Sequence, residues 1–261
     1  MTSGPSHIVI IPSYNTGPRL AETVREALSC GLPVMVVIDG STDGSAQDLS
    51  KISAPPAALQ VITLEHNSGK GAAVLRGFEA ALATGFSHAV VMDADGQHPA
   101  EHIARFVEIS KKNPDAMILG VPQFAADSPL ARRHGRRVGN WWANLETLWG
   151  GINDSLFGFR IYPVASSVTI LQSIRGGRRY DFDTELVVRL FWAGVQPINV
   201  PVPVRYFTAG DGGVSHFRYI RDNWLLFRRH TKLVLEMLPQ LRRIWRLSRK
   251  ARRGNRWPAG E

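Results

Sequence analysis

The chain has 261 residues, with 31 Lys and Arg against 22 Asp and Glu, and therefore a formal net charge of +9. This length suits one α/β domain with an appendage, and a content of 44% hydrophobic and 20% charged residues excludes a disordered or fibrous protein. The single cysteine, Cys30, excludes a disulfide framework and a multi-cysteine zinc site, and it is typical of a reducing compartment.

Short apolar strands alternate with helical segments as far as residue 119. The predicted strands cover 7–11, 33–38, 59–64, 89–92 and 116–119, and the predicted helices cover about 18–29, a segment from 45, 69–83 and 99–111. This alternation predicts an α/β fold with a mostly parallel sheet that helices cover on both faces. Beyond Gly120 the pattern weakens, and residues 125–150 are expected to form an arm or a helix over the ligand crevice.

Polar residues follow four of the predicted strands. Tyr14 and Asn15 come after the first strand, Asp39 after the second, Asn67 after the third and Asp93 after the fourth. In open α/β sheets, ligands bind beyond the carboxyl ends of the strands. The sequence therefore predicts one polar crevice at this edge of the sheet.

Two carboxylates at the end of the fourth strand are candidate metal ligands. Asp93 and Asp95 are one residue apart, and Gln97 follows them. Such oxygen donors suit Mg²⁺ or Mn²⁺, which commonly share their ligands with substrate phosphates. The alternative is a plain turn in which Asp95 caps the helix that begins near Pro99.

The positive charge is concentrated at the C-terminal end. Residues 218–257 contain thirteen basic and two acidic residues, a net charge of +11, whereas residues 1–217 carry −1. Apolar residues recur here at helical spacing, and Pro239 should divide the helix. Basic residues beside Trp, Phe and Leu predict contact with an anionic membrane surface. A helix packed on the body with a solvated polar face is the alternative, and a nucleic-acid-binding module is a weaker one.

No stretch is apolar and long enough to suggest a membrane span, and the first residues show no secretory signal pattern. We therefore expect a cytoplasmic protein that is peripheral at the inner face of the membrane, with no specific nucleic-acid partner. We expect two parts, a catalytic domain over 1–217, with halves of about 1–120 and 121–217, and a basic helical tail over 218–261.

Several motifs resemble the strand ends of family 2 glycosyltransferases. They are Ile10-Ile11-Pro12-Ser13-Tyr14-Asn15, Val36-Val37-Ile38-Asp39-Gly40-Ser41, Asn67-Ser68-Gly69-Lys70-Gly71 and Met92-Asp93-Ala94-Asp95-Gly96-Gln97-His98-Pro99. A later motif, Asp154-Ser155-Leu156-Phe157-Gly158-Phe159-Arg160, resembles the dolichyl- or polyprenyl-phosphate sugar synthase branch. The resemblance covers about residues 7–217.

The resemblance implies a GT-A fold and transfer of a sugar, with inversion, from a UDP- or GDP-sugar to a lipid phosphate or lipid-linked acceptor. It assigns Pro12, Tyr14, Asn15 and Asp39 to the base and ribose pocket. It places Asp93 near the ribose and the metal, and Asp95 with Gln97 on a Mg²⁺ or Mn²⁺ ion. This metal would stabilise the departing nucleoside diphosphate.

Three further residues are predicted to contact donor phosphate or, for His216, phosphate or the metal. Arg160 matches a family arginine with this task, Lys70 lies between two glycines at a helix start, and His216 follows the late Gly213-Val214-Ser215 element. Each has a structural alternative, namely a structural arginine, a solvated lysine and a helix-start histidine.

A hydroxyl acceptor would require a carboxylate to remove its proton. Asp154 is one candidate base, and Asp183 and Glu185, which follow Asp181, are others. The alternative is a charged helix N-terminus. A lipid phosphate is already ionised and would need no base.

The chain also departs from the family pattern. Gly120-Val121-Pro122 stands where the lipid-phosphate branch usually has Gly-Ser-Arg, and an arginine among 132, 133, 136 and 137 is expected to compensate. The alternatives are a soluble or hydroxyl acceptor and, less favoured, a sugar nucleotidyltransferase, although 12–18 lacks the glycine-rich basic loop of the latter.

Overall fold

The structure is a computed structural model that describes residues 6–55, 57–123, 130–174, 182–204 and 219–254. The strands in these ranges are β1 (His7–Ser13), β2 (Val34–Asp39), β3 (Leu59–Leu64), β4 (His88–Val91), β5 (Ala116–Gln123), β6 (Arg160–Pro163) and β7 (Gln196–Pro203). The α-helices there are α1 (Arg19–Leu28), α2 (Ser45–Leu49), α3 (Lys70–Ala83), α4 (Ile103–Lys112), α5 (Leu130–Glu146), α6 (Val164–Ser173), α7 (Phe182–Ala193), α8 (Tyr219–Met237) and α9 (Leu241–Gly254).

The strands form one sheet in the order β3-β2-β1-β4-β6-β5-β7. Strand β6 is antiparallel to β4 and β5, and the other neighbouring pairs are parallel. The predicted α/β architecture with a mostly parallel sheet is thus confirmed. Because β1, β2 and β4 are adjacent and parallel, their carboxyl ends lie at the same edge of the sheet.

The core lies on both faces of the sheet, because successive side chains of a strand point to opposite sides. In β1, Ile8 and Ile10 belong to the cluster that includes α3, α6 and α7, while Val9 and Ile11 belong to the cluster that includes α1 and α4. All four side chains are fully buried. This double coverage explains why the strands contain continuous apolar runs instead of alternating polar residues.

Strand β6 and helix α6, in the second half, were not predicted from the sequence. Strand β6 has only four residues and begins with a charged residue, Arg160, so it lacks the apolar run that identifies the other central strands. Helix α6 follows it directly. Within 125–150, the structure shows the helix α5, Leu130–Glu146, and its predicted place over the ligand crevice stays a prediction.

Helices α8 and α9 are separated by a 3₁₀ turn, Leu238–Gln240, which contains Pro239. Leu233, Met237, Ile244 and Ala251 are buried in the same cluster as α7, so both helices pack on the body through one side. The predicted domain boundary at 217 lies outside the described residues and stays a prediction. Among the described residues, no helix is long and apolar enough to span a membrane.

Candidate active site

The loops after β1, β2 and β3 are joined by hydrogen bonds at one edge of the sheet. The Asn15 backbone N–H donates to the Ser41 Oγ at 3.1 Å, and the Asn15 Oδ1 accepts from the Thr42 backbone N–H at 2.8 Å. Asn15 has a φ of 47°, a left-handed conformation that asparagine tolerates better than most residues. The predicted meeting of these strand ends is therefore observed.

Asp39 holds the neighbouring loop. Its Oδ1 accepts from the Ser68 backbone N–H and its Oδ2 from the Gly69 backbone N–H, both at 2.8 Å. Asp39 is only 2% exposed, so both oxygens are used inside the protein. The next residue, Gly40, has a φ of 67°, and a Cβ there would lie 2.6 Å from the Asn67 backbone nitrogen. Glycine is thus required where the two loops meet.

Tyr14 and Pro12 differ in accessibility. Tyr14 is 38% exposed at the end of β1, whereas Pro12 is buried within the strand. A ligand at this edge can reach the tyrosine ring, but it cannot reach the proline ring without displacing neighbours. The predicted contact of Pro12 with a nucleoside stays a prediction.

Lys70 connects the two halves of the site. Its Nζ lies 2.7 Å from the Asp93 Oδ1 after β4 and 2.7 Å from the Asp183 Oδ2 on α7. These two carboxylates raise the pKa of Lys70 against the effect of its burial. In turn, Lys70 outweighs the desolvation of Asp93 and lowers the pKa of that carboxyl to about 2. Lys70 thus contacts two carboxylates, and its predicted contact with donor phosphate stays a prediction.

Asp95 has the opposite electrostatic character. Burial, together with the nearby negative charge of Asp93, raises the pKa of Asp95 to about 6. Its Oδ1 accepts a hydrogen bond from the Gln97 backbone N–H at 3.0 Å. A carboxylate that is destabilised by burial and by a like charge gains most from a bound cation.

The donor set at this edge fits a divalent cation that also binds a substrate. Asp93, Asp95 and Gln97 are all partly exposed, and they supply carboxylate and amide oxygens. Among the described residues, no group of three or more His, Cys, Asp or Glu side chains could enclose a metal ion. The predicted binding of a metal ion by Asp93, Asp95 and Gln97 stays a prediction.

The three candidate bases are all held by positive or N–H groups. Asp154 accepts from the Arg136 guanidinium at 2.8 Å and from the Phe157 backbone N–H. Asp183 is bound to Lys70, as described above. The Glu185 carboxylate lies 2.8 Å from the Arg189 Nε, and 3.0 Å from a nitrogen of the Arg229 guanidinium on α8. None of these three carboxylates stands free at the crevice.

Arg160 lies beneath the site. It is fully buried, and its Nη1 donates to the Tyr162 hydroxyl at 2.9 Å and to the Asp183 backbone carbonyl at 3.0 Å. Its guanidinium also lies 3.9 Å from the Asp183 carboxylate. In this arrangement Arg160 supports Asp183, and its predicted contact with phosphate stays a prediction. His216 and Asp181 lie outside the described residues.

The chain matches a known family over more than half of its length. The glycosyl transferase family 2 profile covers residues 8–166. Over 225 residues, the chain is 32% identical to a polyprenol monophosphomannose synthase of Mycolicibacterium smegmatis, a match that covers 80% of this chain and 79% of the relative. The chain belongs to glycosyl transferase family 2.

A second relative is also named for sugar transfer to a polyprenyl-type lipid phosphate. An undecaprenyl-phosphate mannosyltransferase of Micrococcus luteus is 26% identical over 218 residues, which cover 80% of this glycosyltransferase and 87% of the relative. The names of both relatives support the expected resemblance to the polyprenyl-phosphate sugar synthase branch.

Solved structures share the fold at lower identity. A mannosyltransferase of Pyrobaculum calidifontis, solved with GDP-mannose and Mn²⁺, is 20% identical with a TM-score of 0.53, and the match covers 78% of this chain and 57% of that one. TarS of S. aureus, residues 1–349, in complex with UDP-GlcNAc is 15% identical with a TM-score of 0.58, over 88% and 67% of the two chains. The predicted GT-A fold is confirmed.

Two residues that position Asp93 in this family 2 glycosyltransferase were not singled out from the sequence. The His98 Nδ1 accepts from the Asp93 backbone N–H at 3.0 Å, and its ring packs edge-on against Phe157. Burial lowers the pKa of His98 to about 4, so the ring stays neutral and can accept this hydrogen bond. Gly158 lies against the same carboxylate, and a Cβ there would be 2.5 Å from the Asp93 Oδ2. Both residues lie within motifs that carried the family resemblance.

Proposed function

We propose that this family 2 glycosyltransferase transfers a sugar from a UDP- or GDP-sugar to a lipid phosphate, with inversion at the anomeric carbon. The names of its relatives support this acceptor class. The observation that carries the proposal is that all three candidate bases, Asp154, Asp183 and Glu185, are already bound by cations. Such carboxylates are poorly placed to accept a proton from a hydroxyl group.

A phosphate acceptor does not need a base. Its oxygen is ionised near neutral pH and can attack the anomeric carbon directly. The new carbon–oxygen bond forms while the bond from that carbon to the diphosphate oxygen breaks, and the nucleoside diphosphate leaves with the electron pair. The alternative, a soluble or hydroxyl acceptor, would be favoured by a free carboxylate at the crevice, and these three carboxylates do not provide one.

We assign the donor nucleoside to the loops after β1 and β2, with Pro12, Tyr14, Asn15 and Asp39 as the predicted residues. Tyr14 is an exposed aromatic residue at this edge, so its ring is suited to stacking on a base. Asp39 would act by fixing the loop at Ser68, because both of its oxygens are engaged there.

We assign the Mg²⁺ or Mn²⁺ to Asp93, Asp95 and Gln97. When bound, the metal would neutralise charge on the departing diphosphate. The Mn²⁺ named in the P. calidifontis complex supports this choice by analogy. The protein's own contribution is to keep Asp93 ionised through Lys70 and oriented through His98.

Arg160 and His216 remain the proposed phosphate contacts. Among the described residues, the Arg160 Nε and Nη2 have no hydrogen-bond acceptor. A buried guanidinium with unused donors is suited to an anion, provided that a movement of its surroundings exposes it. In the absence of such a movement, its role is to hold Asp183.

We also propose that the enzyme works as a peripheral protein at the cytoplasmic membrane face, attached through residues 218–257. The support is the net charge of +11 in this segment and its half-exposed aromatic residues, Phe227 and Trp245. An enzyme attached in this way would meet a lipid phosphate at the bilayer surface.

The acceptor proposal is tested by comparing two lipids that differ in one group. Purified full-length enzyme in detergent is given Mn²⁺, a radiolabelled UDP- or GDP-sugar, and either a short polyprenyl phosphate or the matching polyprenol. We expect label in the lipid extract with the phosphate and background with the alcohol. Equal labelling of the alcohol, or labelling of the alcohol only, would contradict the proposal.

A further inference from the structure

Helix α9 has a buried side and an exposed side. Ile244, Ser248 and Ala251, at positions i, i+4 and i+7, are buried against the body. The Ser248 hydroxyl donates to the Leu148 carbonyl at 2.6 Å, and the Arg252 guanidinium donates to the same carbonyl at 2.7 Å. These contacts hold the helix against the turn after α5 in one orientation, so its remaining side faces outward.

The turn itself has an uncommon backbone. Leu148 and Trp149 have φ values of 51° and 57°, which non-glycine residues adopt rarely and only where the surroundings impose it. The Trp149 backbone N–H donates to the Asn144 carbonyl at 2.6 Å. In this turn the Trp149 side chain is 50% exposed, and the preceding residue, Leu148, contacts α9.

An open groove of about 570 Å³ lies between this turn and α9. Its lining residues combine apolar and cationic groups: Leu148, Leu241, Arg242, Trp245 and Arg246. Trp245 is 48% exposed and Leu241 is 37% exposed, so the apolar lining faces outward. Arg242 and Arg246 are one helical turn apart and therefore lie on the same side of α9.

The charge around the groove is of one sign. Helix α9 contains seven basic residues and no acidic one. In the part of the chain that the structure describes, neither Arg242 nor Arg246 has a carboxylate within 4 Å. An ordinary solvated helix face mixes both signs of charge and exposes little tryptophan. Unpaired arginines beside exposed Trp and Leu are complementary to an anionic, partly apolar surface.

We propose that this groove is a docking site for the phosphate headgroups of an anionic lipid bilayer. Arg242 and Arg246 would bind the headgroup phosphate, and Trp245 and Leu241 would enter the interface beside it. This inference rests on the proposed membrane-linked function for its purpose, but it concerns attachment and not sugar transfer. The hydrogen bond from Ser248 to Leu148 joins α9 to the turn after α5, and Arg136 of α5 binds Asp154. A groove bound to the bilayer would therefore also orient the catalytic domain on it.

The test uses two charge-reversal variants with the same net charge. Arg242→Glu with Arg246→Glu changes the groove, and Arg243→Glu with Lys250→Glu changes exposed cations of α9 that do not line it. Binding of the full chain is measured by flotation with vesicles of phosphatidylcholine alone and of phosphatidylcholine with 30% phosphatidylglycerol. We expect binding only to the anionic vesicles, with both variants weakened by the loss of positive charge and the groove variant at least tenfold weaker than the control.

A third variant separates the apolar contribution from charge. Trp245→Ala leaves the charge unchanged, and we expect it to weaken binding to the anionic vesicles about tenfold. Equal losses of vesicle binding in the two charge variants would overturn the site in favour of diffuse electrostatic attraction. Tight binding of the wild type to an oligonucleotide, with an equal loss in the groove variant, would also overturn it, because the groove would then bind nucleic acid. Thermal unfolding confirms that each variant is folded.

Sugar transfer to a short polyprenyl phosphate in detergent keeps this proposal separate from the proposed function. The groove variants should retain it at the wild-type rate while they lose vesicle binding. If the groove variants bind vesicles like wild type and transfer sugar normally, the docking site alone is overturned. If the wild type itself transfers no sugar, the proposed function is overturned.

Discussion

At the scale of single residues, the Asp93 carboxylate occupies space that is free only because residue 158 is a glycine without a side chain. Gly158 approaches this carboxylate so closely that a methyl group would overlap the Oδ2. We expect Gly158→Ala to move Asp93 and to lower kcat about 100-fold, because displacement of a catalytic group by about 1 Å has an effect of this size. Steady-state kinetics with a thermal unfolding measurement would check this.

Gly139→Ala is the matched control for that variant. Gly139 lies on α5, and the added methyl group would meet the flexible end of the Leu156 side chain, which can move, so the rate should stay within about threefold of wild type. A Gly158→Ala enzyme with normal kcat would show that the position of Asp93 is not critical.

Lys70 links Asp93, after β4, to Asp183 on α7. Lys70→Met would leave the Asp93 and Asp183 carboxylates without their shared cation, and we expect a loss of about 1–3 kcal/mol in the free energy of unfolding together with a strong loss of activity. The estimate is modest because the Asp93 side chain is one-third exposed.

The double variant Lys70→Met with Asp183→Asn distinguishes structure from catalysis. It removes one unpaired charge, so urea unfolding should show a partial return of stability, and a double-mutant cycle should give a coupling energy of at least about 0.5 kcal/mol. Activity should not return, since Asp93 still lacks its cation. Full additivity of the two changes would contradict the proposed link.

At the scale of the elements, β1 and β4 meet through two histidines. The His7 and His88 rings are stacked 4.9 Å apart, and the His7 Nε2 bonds with the Ser110 hydroxyl at 3.0 Å. Burial, followed by the charge of His88, lowers the pKa of His7 to about 4 from its usual 6.5. The unfolded chain therefore binds a proton at a higher pH than the folded chain does.

This difference makes stability depend on pH. The contribution of His7 is complete above pH 6.5 and decreases as the pH falls toward 4, by up to about 3 kcal/mol. We expect urea unfolding at pH 7.5 and pH 4.5 to give a larger difference for wild type than for His7→Gln, which cannot titrate. Identical differences would show that His7 does not titrate in this range.

The elements also show what the sequence can and cannot predict. Continuous apolar runs identify β1, β2 and β4 because these strands are buried on both faces. Strand β6 contains Arg160 and is ordered by pairing with β4 and β5 instead of by its own pattern. The turn residue Pro239 did predict the division between α8 and α9, because proline lacks the N–H that a continuous helix needs.

Some contacts of the candidate site could also be predicted from the sequence, and others could not. The meeting of Asn15, Asp39 and Asp93 follows from parallel strand order, which alternation of strands and helices predicts. The contact between Lys70 and Asp183 joins residues 113 positions apart, and no local pattern encodes it. The same holds for the pairs Arg136–Asp154 and Arg229–Glu185, whereas Arg189 pairs with Glu185 at the local i,i+4 spacing.

At the scale of the whole molecule, charge and catalysis are separated. Residues 1–217 are almost neutral, and the positive excess lies in the C-terminal segment, whose described helices pack on the body through their apolar side. The charge is therefore available for an external surface, while the proposed donor site relies on a few individual residues at the edge of the sheet. This separation is what the proposed attachment of the enzyme to an anionic membrane surface requires.

The most direct test of the account is the stoichiometry of the two products in one reaction. The enzyme is given Mn²⁺, a UDP- or GDP-sugar and a polyprenyl phosphate, and both nucleotide products and lipid-linked sugar are quantified. We predict one nucleoside diphosphate for each sugar on lipid, with both products reduced to background by EDTA or by Asp95→Ala. Release of pyrophosphate, which indicates a sugar nucleotidyltransferase, or full turnover by Asp95→Ala would contradict it.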